Sequence, residues 1–362
     1  GAGRWRQSAL GGGANRRYWA GDPDDNYARD IAFINERVVH LREKSVFLCV
    51  DTSGEYEELK LEEVRNNLRS LVATSIDTWL ASTKHRNYAR DVFVPTLKPE
   101  CNNPDEFNWF RGLAIQYKDC RRADPAACRP LLDHIRMLVG NRRDVYDHIL
   151  DTWARMLQGC EWGRVDWVKS CIAIIFLSKP GAGKGTITRH NRNIIGPAHA
   201  TQLSNPRHLF GDFNEKTGRD KIWVEMDELL WSGNHAHAAR FKNMITEDTQ
   251  EAEGKFKKER TYRSAHNYII TTNAEQAAQV DVDDRRFLVV DCDNQMAGRE
   301  TAESRAYFAK INDPKFFTSI NELPIALSFA RHLYERHVEN FTPSVDLPQT
   351  RGTQQQKLQG LN

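Results

Sequence analysis

Lys184 stands in the run Ser178-Lys-Pro-Gly-Ala-Gly-Lys-Gly-Thr186, where glycines at 181, 183 and 185 surround a single ammonium group. Glycine reaches backbone conformations closed to other residues, so successive N–H groups of such a loop can turn inward onto phosphate oxygens. The Lys184 amine then compensates the charge of the β- and γ-phosphates. A Gly-Lys pair by itself is usually an ordinary turn. Here residues 171 to 177 read as a buried strand before the loop and residues 186 to 193 as helix-compatible after it, the setting a nucleotide-cradling loop requires. Pro180, Gly181, Ala182, Gly183, Lys184, Gly185 and Thr186 are therefore the candidate nucleotide contacts, with ATP and Mg2+ as the expected ligands. Ser178 occupies the place of the first glycine of the strict pattern, and Gly185 the place of a magnesium-binding hydroxyl. The hydroxyl comes one residue later, and Thr186 is a candidate metal ligand.

The next chemistry-bearing run is Lys221-Ile-Trp-Val-Glu-Met-Asp-Glu228, β-prone and ending in carboxylates. In a parallel α/β sheet the carboxyl ends of neighbouring strands converge, which would bring Asp227 to the metal and Glu228 within reach of an attacking water. Glu225 is an alternative metal partner if the strand stays regular and gives it the facing of Asp227. A solvated acidic turn is the plainer reading. A third β-prone run ends in Asn273, which can orient water against a γ-phosphate, and a fourth follows Asp283-Asp-Arg-Arg-Phe287, where Arg285 or Arg286 can reach a phosphate on a neighbouring subunit. Taken singly, an Asn closing a strand is a turn residue, and arginines beside aspartates form surface ion pairs.

Loop, acidic strand, basic segment, Asn-ended strand and Asp-Arg-Arg-Phe follow one another in that order. In this the chain resembles superfamily 3 helicases of the AAA+ class, and in particular the helicase portion of phage, plasmid and large-virus primase-helicases. Further likeness lies in Trp79 through Arg90-Asp-Val-Phe-Val-Pro95, in Phe107-Asn-Trp-Phe-Arg-Gly112 and in Trp153-Ala-Arg-Met-Leu-Gln158. It continues in Tyr334-Glu-Arg-His-Val-Glu-Asn-Phe-Thr-Pro343 and Pro348-Gln-Thr350. The resemblance implies an α/β fold: an AAA+-type P-loop NTPase core, a mainly helical N-terminal region and a short helical C-terminal piece. It also implies a homo-oligomeric ring of six subunits that hydrolyses ATP between neighbours and moves along single-stranded DNA. Lys184 and Asp227 would hold MgATP, Glu228 would polarise water, Asn273 would sense the γ-phosphate and one of Arg285 and Arg286 would complete the adjacent site.

In that family a hairpin between the acidic strand and the sensor strand grips DNA, and the matching segment here is Glu253-Gly-Lys-Phe-Lys-Lys-Glu-Arg-Thr-Tyr-Arg263. Its basic residues suit phosphate neutralisation, and Phe256 and Tyr262 suit stacking on bases. Lys255, Lys257 and Lys258 are the candidate DNA contacts, with Lys242 as a support for the loop. Such helicases often carry a primase domain or partner, but no primase carboxylate constellation stands out here. Because Gly-Ala-Gly-Lys-Gly-Thr also resembles adenylate kinase loops, a nucleoside monophosphate kinase is the alternative from another class. A DNA-binding assembly protein that keeps nucleotide without hydrolysing it is a third reading.

Composition bounds these readings without choosing among them. The 362 residues suffice for two or three folding units, and a net charge of +2 means that any nucleic-acid binding must be local. Seven scattered cysteines without a Cys-x-x-Cys pair argue against a disulfide framework and a zinc site. His134 and His148 lie near Cys120 and Cys128 at spacings that fit no usual zinc pattern. With no apolar run of membrane-spanning length, the expected place is a reducing cytoplasm, that of the host cell for a phage or viral protein. The expected divisions are a tail or linker at 1–28, a mainly helical region at 29–160, the ATPase core at 161–300 and a helical segment with a polar tail at 301–362. The apolar stripe through Leu131, Ile135, Leu138, Ile149, Trp153 and Met156 reads as packing on one helical face.

Overall fold

Three runs of the second half of the chain, 173–177, 223–227 and 267–272, are buried at nearly every position. That is the pattern of strands covered on both faces. The computed structural model describes residues 23–51, 56–69, 72, 75–205, 207–210, 218–227, 235–252, 260–273, 284–295, 297–298, 301–345 and 347–359. They divide into two compact units, one made of residues up to 92 with 102–109, the other of 93–101 with 110 onward.

The first unit begins with α1 (Pro23–Arg37) and the strands β1 (Val38–Leu41), β2 (Val46–Val50) and β3 (Tyr56–Leu59). It continues with α2 (Leu61–Leu68), α3 (Ile76–Ala81), β4 (Asn87–Tyr88), β5 (Arg90–Val92) and β6 (Glu106–Asn108). One sheet has the order β3-β2-β1-β4, and β5 pairs with β6. Alternate residues of β1 and β2 feed two apolar clusters. Val38, Phe47 and Cys49 meet Ile34, Val64 and Trp79, whereas Val39, Leu41 and Leu48 meet Phe107. The region expected to be mainly helical thus opens with six strands among its described residues, and the unit boundary falls near 92 and 110, not at 160. Short β-branched runs either side of a turn with Ser45 at φ 52° pair as a hairpin more readily than they continue a helix.

The second unit holds α4 (Tyr117–Cys120), α5 (Arg129–Leu138) and α6 (Arg143–Trp162) ahead of the large sheet. The helical face expected from Leu131 to Met156 is interrupted at 139–142, where Asn141 takes φ 59° and α5 ends. The sheet elements follow: β7 (Ala173–Leu177), α7 (Lys184–Ile195), β8 (Ala200–Leu203), α8 (Arg207–Phe210), β9 (Trp223–Asp227) and α9 (His235–Thr246). Then come β10 (Thr249–Ala252), β11 (Arg260–Arg263), β12 (Asn267–Thr272) and β13 (Phe287–Asp291). Five strands pair in the order β13-β7-β12-β9-β8, every neighbouring pair parallel. All five carboxyl ends therefore lie on one edge, with β12 inserted between β7 and β9. Ala173, Ile175, Val224, Met226, Tyr268, Ile270 and Val289 form the core with Phe241 of α9.

Three helices complete this unit: α10 (Ala302–Ile311), α11 (Pro324–Tyr334) and α12 (Arg351–Gln359). The carboxylate of Asp313 accepts the N–H groups of Ile325 and Ala326, which caps α11. The start of α12 lies along β13. Thr350 Oγ1 donates to Val289 O at 2.5 Å, Thr353 Oγ1 accepts from Val289 N at 3.1 Å, and a Cβ on Gly352 would lie 2.8 Å from Val289 O. No helix among the described residues is long and apolar enough to cross a membrane.

Two buried imidazoles join strands to loops in this unit. His199 accepts from Arg111 N at 3.0 Å and meets Asp220 O at 2.7 Å, and His266 meets Gly218 O at 2.9 Å and the Tyr268 hydroxyl at 3.1 Å. Burial pushes both rings down to about 4 from the ordinary 6.5. The unfolded chain therefore takes up these protons first as pH falls. Stability present above pH 6.5 should be lost progressively towards pH 4, on the order of 3 kcal/mol per ring over the whole window. Thermal melts followed by circular dichroism should show a clearly lower midpoint at pH 5 than at pH 7.5. An unchanged midpoint would mean that these rings are not buried neutral.

Candidate nucleotide site

The loop between β7 and α7 is drawn over the carboxyl edge of the sheet by its own lysine. Lys184 Nζ donates to Ser178 O at 2.7 Å and to Thr272 O at 2.9 Å, so the ammonium bridges the ends of two neighbouring parallel strands. Gly183, the residue before α7, has φ 97°, and a Cβ there would lie 2.4 Å from His134 Nε2. Both the backbone state and the contact require glycine. Gly181 likewise packs on Gly298, whose N–H donates to Pro180 O at 3.3 Å. At Gly185 a Cβ would meet nothing within 4 Å, so packing does not account for the missing hydroxyl. Pro180, Gly181 and Gly185 are exposed, Ala182 is buried, and the N–H of Thr186 closes the first turn onto Gly183 O at 3.1 Å. Behind the loop, Lys179 N donates to Asn294 Oδ1 at 2.8 Å.

Asp227 ends β9 in register with Thr271 of β12, whose hydroxyl donates to Asp227 Oδ1 at 3.0 Å, while Gln202 Nε2 lies 3.4 Å from Oδ2. The carboxylate is partly exposed beside the strand ends that hold Lys184. Glu225, two residues earlier and hence on the same face, serves another purpose. Its oxygens accept from Thr188 Oγ1 at 2.9 Å and from the Arg192 guanidinium, both on α7. Burial pushes the Glu225 carboxyl up, and Arg192 and Thr188 oppose that shift. The alternative of Glu225 as a metal partner gives way to a pair, a buried carboxylate with a half-buried guanidinium, that fastens α7 to β9. Glu228 lies outside the described residues.

Asn273 is exposed one residue beyond β12, next to the Thr272 carbonyl that receives Lys184. The arginines are elsewhere. Ala173 N, at the start of β7, donates to Arg286 O, which sets Arg285 and Arg286 at the amino edge of the sheet. Five residues of strand, roughly 17 Å at 3.3 Å per residue, separate them from the glycine-rich loop of their own chain. Asp284 is buried and receives Arg286 N at 3.0 Å and Arg286 Nη1 at 3.4 Å, with Lys242 Nζ 3.4 Å from its other oxygen. The ion-pair reading thus holds for Arg286, and Lys242 braces this turn. Arg285 is exposed.

β10 and β11 form an antiparallel hairpin between α9 and β12, with Ala252 opposite Arg260 at its outer end. Lys255, Lys257, Lys258 and Phe256 lie in the connection, outside the described residues. Tyr262 does not offer a stacking face. Its hydroxyl reaches Gln250 Oε1 at 3.4 Å, and its ring lies 6.0 Å from that of His266, turned towards the body of the unit. No cluster of three metal-ligating side chains occurs among the described residues. His148 packs edge-on against Phe341, and His134 is committed to the loop. Thr271, Thr188, Arg192 and Asn294 carry no motif that marks them as partners of the site, since each supports it through tertiary contact alone. A Thr and an Arg one and two turns into the helix after a glycine-rich loop, facing a Glu two residues before the strand-end Asp, is the only pattern that could have pointed to the buried pair.

Comparison with known proteins supplies three findings. Residues 176–286 match a family of unknown function, DUF5906. That span runs from the end of β7 to Arg286. The chain is 26% identical over 149 residues to a protein named DNA primase-polymerase from Nitratiruptor phage NrS-1, an alignment covering 40% of this chain and 20% of that protein. The aligned portion is thus about a fifth of the relative's length. Among solved structures, an apo structure of the NrS-1 C-terminal region aligns with a TM-score of 0.67 at 15% identity, covering 94% of this chain and 76% of the other. A second, the A form apo structure of that region, gives 0.66 at 18% identity over 89% and 72%. At such identities the likeness is one of fold: mixed α/β, built on a parallel sheet.

The pair under α7 makes a direct prediction. Replacing Arg192 with Leu leaves Glu225 buried without its cation and should cost about 3–5 kcal/mol. Adding Glu225→Gln should return much of that, because a neutral amide is far less costly to bury. Urea unfolding of the single and double variants measures both effects. A cost below about 1 kcal/mol for Arg192→Leu, the scale of an exposed pair, would show that Glu225 is solvated.

Proposed function

We propose that this chain is an ATP-driven motor of DNA replication that works on single-stranded DNA as a ring. The observation that carries the reading is the convergence of Lys184, Asp227 and Asn273 on the carboxyl edge of the parallel sheet. Ligands of α/β sheets bind at that edge. A loop with glycines at φ 81° and 97°, ending at the N-terminus of a 12-residue helix, fits a phosphate chain, and Asp227 beside it fits the accompanying Mg2+. The name of the NrS-1 relative supports a role in phage DNA replication.

MgATP, when bound, supplies the phosphoanhydride bond whose hydrolysis drives movement. In this reading Lys184 and the N–H groups of residues 181–185 compensate phosphate charge, and Asp227 and Thr186 hold the metal. Glu228 orients water, and Asn273 donates to the terminal phosphate. Arg285 and Arg286 lie at the far edge, which favours a role across a subunit interface. With Arg286 tied to Asp284, Arg285 is the finger. Lys255, Lys257 and Lys258, in the stretch of sequence that joins β10 to β11, would neutralise DNA phosphates. A primase domain or partner belongs to the same reading.

ATP hydrolysis by the purified chain, measured with and without single-stranded DNA, tests the proposal. DNA should stimulate turnover. Lys184→Ala should abolish it, and Glu228→Gln should retain ATP binding while losing at least about 100-fold in rate. Turnover that ignores DNA, or that survives Lys184→Ala, would sink the motor reading. Phosphoryl transfer to a nucleoside monophosphate would favour the kinase.

The finger has its own test. Arg285→Ala subunits should bind ATP but not hydrolyse it, and mixing them with inactive Lys184→Ala subunits should restore part of the activity, since each supplies what the other lacks. Rescue by Arg286→Ala but not by Arg285→Ala would reverse the assignment.

A further inference from the structure

His134 belongs to α5, far from the loop in sequence, and it joins no metal-ligating cluster among the described residues. The ring is fully buried, and burial pushes it down to about 4, so it is neutral at ordinary pH. Both ring nitrogens are engaged. Nδ1 lies 2.8 Å from the Tyr307 hydroxyl of α10, and Nε2 lies 3.4 Å from the carbonyl oxygen of Gly183. A carbonyl can only accept, so the arrangement requires the Nε2–H tautomer, with Nδ1 accepting from Tyr307.

The consequence for the loop follows from peptide planarity. In a trans peptide the carbonyl of Gly183 and the N–H of Lys184 point in opposite directions. A carbonyl fixed towards His134 aims the Lys184 N–H away from it. The space on the His134 side is filled, since a Cβ on residue 183 would meet His134 Nε2 at 2.4 Å and Phe308 Cε1 at 2.9 Å. The left-handed state of Gly183 and the position of the imidazole therefore constrain each other.

We propose that His134, oriented by Tyr307, is a positioning residue for the glycine-rich loop: by holding the Gly183 carbonyl it sets the direction of the Lys184 backbone N–H that receives phosphate. The proposal rests on the nucleotide-binding reading of that loop. It also assigns a task to α5 and α10, which lie outside the run of motifs between 176 and 286.

Two amides separate this role from plain packing. In His134→Gln the side-chain nitrogen reaches the place of Nε2 and can still donate to Gly183, whereas the shorter amide of His134→Asn reaches only the place of Nδ1. Equilibrium binding of a fluorescent ATP analogue with Mg2+, and of inorganic triphosphate in competition, should weaken about 10-fold in His134→Asn and by no more than about 3-fold in His134→Gln, the scale of one hydrogen bond. Nucleotide-free melting midpoints should fall alike in the two. Tyr307→Phe, a milder change that leaves the imidazole in place, should weaken binding about 3-fold by releasing the tautomer and keeps the test open if a His134 variant fails to fold. If the wild-type chain binds and Gln and Asn weaken it equally, or Tyr307→Phe binds as the wild type does, the positioning role is overturned. If the wild-type chain binds neither probe, the nucleotide reading falls and the proposal with it.

Discussion

The parallel pairing of β7 with β12 is the constraint on which the rest of the second unit depends. Thr272 stands opposite Leu177 in that register, so the last carbonyl of β12 and the first carbonyl past β7 lie side by side, and one lysine can reach both. A shift of one residue would turn every side chain of β12 to the other face. It would also carry Thr271 away from Asp227, which β9 holds on the far side of the same strand. Ammonium, hydroxyl and carboxylate are thus located by backbone hydrogen bonding, with little left to the loops.

Around this edge the helices fix the loop from behind. Glu225 binds α7 through Thr188 and Arg192, on the face where Asp227 completes the strand. Such a pair contributes little net stability over an apolar substitute, but the buried carboxylate of Glu225 needs both α7 partners, which ties α7 to β9. Asn294 and Gly298 hold the outer turn at Lys179 and Pro180, and His134 holds the inner one at Gly183. The residues that touch the loop from outside are therefore mostly neutral and conformational in effect, and the charges are kept for its open side.

How much of this was legible depended on the range of the interaction. The strand runs ending in Leu177, Asp227 and Thr272 could be read from local apolar patterning because buried parallel strands are apolar on both faces, and the α/β character of the chain followed from their alternation with helices. Gly183 was visible as a loop glycine, but the reason for it, an imidazole 49 positions earlier, was not. Val46 to Val50 reads as a strand in the sequence, whereas its flanks are helix-compatible, and it is the two apolar clusters on opposite faces of β1 and β2 that reveal β1 beside it. Tyr262 looked like a stacking residue beside a basic run, yet alternation along β11 turns it inwards. Arg285 and Arg286 were indistinguishable as neighbours in sequence, and it is the buried carboxylate of Asp284 that divides them.

The C-terminal segment has a consequence for assembly. β13 is the outermost strand on the loop side of the sheet, and an outermost strand presents unpaired backbone groups that invite a strand from another molecule. Here Thr350 and Thr353 occupy the carbonyl and N–H of Val289, and the glycine between them lets the helix backbone come against the strand. This border of the sheet is closed from within the chain. A second chain could not add a strand at Val289 without displacing α12, so any association on that flank must rely on side-chain surfaces, which can slide or separate without breaking a β-ladder.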